Sequence, residues 1–102
     1  MKDEAYILKR FERVEELGRK VLSSVCVGFS GHRYVEMTLF AKWKTECVTL
    51  LGSVMPNSAI YAEQLKLFVS QQPTDDATTF EHLWGVFSGA YDDFKAGMFD
   101  NL

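Results

Sequence analysis

The stretch CVGFSGHRY, Cys26 to Tyr34, holds a thiol, a hydroxyl, an imidazole and a guanidinium within nine residues. Hydrolysis by a serine nucleophile would need Ser30 on a sharp elbow, with glycine two places to either side. Gly28 meets that requirement, but His32 occupies the second glycine position. A phosphate-cradling loop would need a lysine followed by Ser or Thr after its last glycine, and this loop has neither. The segment therefore reads as a connection between helices, with Arg33 and Tyr34 as candidate surface contacts.

Metal and acid–base chemistry find no better footing. His32 and His82 belong to no ligand motif, and the Glu-x-x-His repeat of a helical di-metal site is absent. No metal or other cofactor is expected. The acidic pairs Asp75-Asp76 and Asp92-Asp93 are adjacent in sequence, and neighbouring residues on a helix diverge by about 100°. Two carboxylates sharing catalysis must instead converge in different environments. Both pairs read as solvated acids, with Asp75 and Asp76 suited to the positive end of a helix. The HEPN ribonuclease signature, an arginine some residues ahead of a histidine, is also missing: Arg33 follows His32, and no arginine closely precedes His82. A non-enzyme is expected.

The elements that carry these residues must fit in 102 residues, one domain spanning 1–102. Hydrophobic residues make up 47% and charged residues 25%, as in an ordinary globular chain. No apolar run approaches the ~18 residues of a membrane span, and the charged start MKDEAYILKR does not read as a secretory signal. Cys26 and Cys47 fit neither a zinc spacing nor a disulfide framework, so reduced thiols and a cytoplasmic setting are expected. The net charge of −3 argues against a nucleic-acid partner. Residues 1–51 carry nine basic and seven acidic side chains, and residues 52–102 two basic and seven acidic. The halves either complement each other within one fold or leave an acidic surface for a basic partner.

Apolar spacing predicts four helices. The first runs from Asp3 to about Val25, with Ile7, Phe11, Val14, Gly18, Val21 and Val25 on one face. Gly18 on that face would make room for a bulky neighbour. The second begins between Val35 and Thr38 and ends at Val54, before Pro56. The third, capped by Asn57 or Ser58, extends to about Gln71 with Tyr61, Leu65 and Phe68 inward. The fourth opens on Thr78 and Glu81, which have capping-box spacing, and closes at Gly97. No segment alternates long enough to demand a strand, although VGF and RYVEM could pair briefly. The expected fold is all-α, an antiparallel four-helix bundle.

Two features suggest a contact surface. Ile60 and Leu67 form an apolar strip offset from the inward face of the third helix. Gly85 and Gly89 fall opposite the aromatic stripe of the fourth, with His82 and Asp93 beside them. Each interior glycine costs about 1 kcal/mol relative to alanine, and a smooth helix back would let another backbone approach.

The segments AKWKTECVTLLGSVMPNSAIYAEQLKLF and LWGVFSGAYDDFKAGMF resemble a small helical domain of uncharacterised bacterial proteins. The resemblance covers about residues 38–99 and rests on Trp43, Leu50, Leu51, Ser58, Tyr61, Phe68, Gly85, Asp92, Asp93, Lys95, Gly97 and Phe99. It implies an accessory or interaction module of the kind that stands ahead of HEPN-like or nucleotide-binding effectors of bacterial defence, with no catalytic residues to transfer.

The expectation is a non-enzymatic helical interaction or regulatory module that binds a protein partner or forms a homo-oligomer. Its candidate contacts are Arg33, Tyr34, Ile60, Leu67, His82, Gly85, Gly89 and Asp93. The alternatives are a phage-encoded inhibitor of a host defence complex and a small-ligand, nucleotide receptor using Arg33, Tyr34 and His32.

Overall fold

The computed structural model describes residues 4–99. Four helices, α1 (Glu4–Ser23), α2 (Met37–Val54), α3 (Ala59–Ser70) and α4 (Ala77–Lys95), account for 72% of them. Between α1 and α2 stand two short strands, β1 (Cys26–Val27) and β2 (Arg33–Tyr34). The chain is mostly helical, with one small hairpin added.

The helix ends follow from local chemistry. The expected start of α1 at Asp3 lies outside the described residues. Its far end comes before Val25, because Ser24 tightens the last turn: both its N–H and its hydroxyl donate to the carbonyl of Val21, at 3.0 and 2.6 Å. Glu36 caps α2, its carboxylate accepting from Leu39 N at 2.6 Å. Ser58 caps α3.

At α4 the expected capping box does not form. Asp76 is the cap, accepting from Thr78 N at 3.0 Å and from the Thr79 hydroxyl at 3.3 Å. Thr78 is therefore already inside the helix, and Glu81 turns elsewhere. The other end of α4 closes as expected on Gly97, at φ +77°. Gly97 N donates to Phe94 O and Met98 N to Asp93 O, each at 3.0 Å, the paired bonds of a Schellman stop.

The core is aromatic. Trp43 lies at its centre, with ring centroids 4.8 Å from Phe80, 5.8 Å from Phe68 and 6.0 Å from both Trp84 and Phe87. Toward the other end Phe11 of α1 stacks on Tyr91 and Phe94 of α4, each at 4.9 Å. Each such side chain contributes about 1.5–3 kcal/mol when fully buried. Gly18 makes the room foreseen for a bulky neighbour, which is Trp84.

The brief pairing of the α1–α2 connection does occur. Cys26 opposes Tyr34 and Val27 opposes Arg33 in an antiparallel ladder. Gly28 N donates to His32 O at 2.8 Å and Gly31 N to Gly28 O at 3.0 Å. Gly31 lies at φ +82°, where a side chain would be strained. The result is a three-residue hairpin loop closed by a left-handed glycine.

Candidate interaction surface

The hairpin is fixed to the helices from two sides. Glu36 N donates to the Ser24 hydroxyl at 2.9 Å, and Val35 N donates to Asp75 O at 2.8 Å. Tyr34 bridges to Asp76 just ahead of α4, while Val35 is buried in the core. Arg33 grips Glu81 on the first turns of α4 through two parallel hydrogen bonds of 2.5 and 3.0 Å. This planar fork matches a carboxylate well. The hydrogen bond from Arg33 holds the Glu81 carboxyl below its ordinary range, against partial desolvation and the charge of Asp76. The same bond raises the Arg33 pKa.

Clamped in this way, the hairpin presents its tip to solvent. Phe29 is 115% exposed, so the described residues do not cover it, and Val27 is 67% exposed. Neither stood among the candidates from sequence. The signal was an aromatic residue enclosed by Gly28, Ser30 and Gly31, too isolated in a turn to serve any periodic stripe.

The residues proposed from sequence do not form one site. Arg33 is engaged by Glu81, and Tyr34 lies against His32, with ring centroids 4.5 Å apart, and over Gly28. His82 is exposed, and a methyl group at Gly85 or Gly89 would meet nothing within 4 Å, so that back of α4 is open. Asp93 is not simply solvated: it accepts from the Tyr61 hydroxyl at 3.2 Å. Partial burial and then the Asp93 charge raise the Tyr61 pKa. Asp92 keeps the exposed role, 3.6 Å from Lys95.

The offset strip on α3 divides. Ile60 is 71% exposed, but Leu67 packs in part against the core. The reason is geometric: Leu67 adjoins Phe68 where α3 meets the rest of the core, whereas Ile60 lies in the first turn. Glu81, which holds Arg33, and Asp93 sit toward opposite ends of α4. The twelve steps from Glu81 to Asp93 span about 18 Å of helix.

Among the described residues no hydrogen bond joins Cys26 or Ser30 to His32, which faces Asp76 at 3.7 Å and Tyr34. Among the described residues no three His, Cys, Asp or Glu side chains converge as metal ligands. No described helix is long and apolar enough to cross a membrane. No protein-family model, curated protein or solved structure matches the chain.

Proposed function

We propose that this chain is a non-enzymatic helical protein–protein interaction module whose principal contact is the tip of the β1–β2 hairpin. The observation that carries the proposal is Phe29, a large apolar side chain left fully exposed by the described residues on a hairpin anchored by an ion pair and backbone bonds. Exposing it costs solvation free energy that association would recover. Anchoring limits the entropy lost when a partner docks.

The supporting frame is an antiparallel four-helix bundle. Its support is the order of contacts: early Phe11 meets late Phe94, and late Gly18 meets early Trp84. Likewise Arg10 of α1 reaches Glu46 of α2, 3.8 Å away. A regulatory place in bacterial defence, including inhibition of a defence complex by a phage protein, belongs to the same proposal. It rests on the resemblance over residues 38–99 and on the acidic second half.

The test is affinity purification of tagged wild-type chain and of Phe29→Ser from the native host, followed by native mass spectrometry. A protein held at fixed stoichiometry by the wild type and lost from Phe29→Ser supports the reading. Identical partners for both chains would remove the hairpin from it, and a wild type that associates with no protein, itself included, would overturn it.

A further inference from the structure

The hairpin has two edges, and its own chain occupies one of them. The register pairs Cys26 with Tyr34 and Val27 with Arg33, and Gly28 N donates to His32 O at 2.8 Å. Antiparallel pairs alternate between hydrogen-bonded and non-hydrogen-bonded, so Cys26/Tyr34 and Gly28/His32 are the bonded pairs and Val27/Arg33 is not. The backbone N–H and C=O of Val27 and Arg33 consequently point outward, away from the opposite strand. On the β2 side that outward edge meets the segment ahead of α4: Tyr34 bridges to Asp76, and Val35 N donates to Asp75 O. On the β1 side no described strand follows, since β1 ends a two-stranded sheet.

Folded proteins usually guard a free edge with lysine, proline or a covering loop. The run Cys26, Val27, Gly28 and Phe29 includes no charged residue and no proline. Val27 and Phe29 are both exposed apolar side chains. The guard that β1 retains is brevity, at two residues.

We propose that β1 receives an extended segment of a partner protein as a third strand, paired through the outward N–H and C=O of Val27. The proposal rests on the reading of the hairpin as the contact and names what it contacts. An outward donor and acceptor on one residue match the donor and acceptor of one residue in another extended backbone, whereas a helix keeps those groups for its own bonds. Side chains alternate faces along a strand. The incoming side chain opposite Val27, and the one two places away on the side of Phe29, therefore meet the two apolar groups. The recognised motif is a pair of β-branched or aromatic residues separated by one position. Because the hairpin is already clamped by Arg33 and Glu81, the loss of backbone freedom on pairing falls mainly on the incoming segment. One bonded pair gives reversible binding, micromolar or weaker for an isolated segment.

Random linear peptides of about ten residues, displayed in many copies per particle, are panned against the immobilised full chain. Enriched sequences should share the spaced pair of β-branched or aromatic residues. Synthetic copies are then titrated against wild type, Val27→Thr, Val27→Pro and Phe29→Ser. Proline removes the outward N–H and is tolerated on a strand edge whose N–H faces solvent. Val27→Pro should weaken binding at least about tenfold, while Val27→Thr, which keeps the N–H, should bind nearly as wild type does. In the wild-type chain, exchange of the Val27 amide hydrogen should slow at least about tenfold at saturating peptide, a readout that needs no substitution. Peptides that require Phe29, yet tolerate Val27→Pro and leave the Val27 amide unprotected, would overturn strand addition and leave the hairpin contact standing. Failure to enrich any sequence would also overturn strand addition, and the Phe29→Ser purification would then judge the hairpin contact alone. A peptide-free dimer abolished by Val27→Pro would give the edge to a second copy and overturn a foreign strand as its occupant.

Discussion

Gly18 of α1 lies directly beneath the indole of Trp84 on α4, and a methyl group at that α carbon would overlap the ring. The same methyl would come within 2.8 Å of Trp43 Nε1. Both obstacles are rigid rings, and Trp43 is fully buried, so neither yields without moving the core. Gly18→Ala should lower stability by about 1–3 kcal/mol despite alanine's better helix propensity. Gly18→Val should cost more. Urea midpoints measure both, and an alanine variant as stable as wild type would show that the two indoles can move apart.

Gly85 and Gly89 provide the opposite case on the partner helix. Both have helical backbone and open space where a Cβ would stand. Gly85→Ala and Gly89→Ala should each raise stability by about 0.4–1 kcal/mol, by restricting the unfolded chain and favouring helix. Thermal or urea unfolding decides the matter. A loss of stability would place something against that face, namely a second chain in the folded protein.

Acid should release the hairpin clamp. Glu81 has its pKa depressed, chiefly by the hydrogen bond from Arg33. Its contribution is therefore complete above the unfolded value of about 4.3 and lost as pH falls through the lower folded value. The pair is exposed, so the effect is small and screened by salt. Glu81→Gln should be less stable than wild type at neutral pH, with the gap closing below about pH 4. Urea midpoints across pH test this; a gap that stays constant into acid would remove the ion pair as its cause.

The two thiols should differ sharply in reactivity. Cys26 is exposed and Cys47 is buried; burial, aided by the charge of Glu46, pushes the Cys47 thiol well above its ordinary pKa. Since the thiolate is the reactive form, iodoacetamide should modify Cys26 in the native protein and reach Cys47 only after denaturation. Peptide mass spectrometry resolves the two. Equal labelling rates would show that the core opens readily.

The helices were legible because each buries a stripe long enough to outvote local ambiguity. The spans from Met37 to Val54 and from Ala59 to Ser70 lie where spacing and Pro56 put them. Ends were less legible where two acceptors compete: Asp76 and Thr78 are both good caps, and tertiary use of Glu81 by Arg33 favours the former. The hairpin strands, two residues each, are too short for alternation to register. The proposed contact was the least legible, since Phe29 has no periodic partners.

Trp43 gives the protein an optical signature. Its ring is fully buried among Phe68, Phe80 and Phe87, and its indole N–H makes no hydrogen bond among the described residues, so it should emit at the blue end of the tryptophan range. Trp84, 6.0 Å away, is close enough to exchange excitation with it. A red shift in the emission of the unlabelled chain would thus report disturbance of the very layer in which Gly18, Trp43 and Trp84 meet.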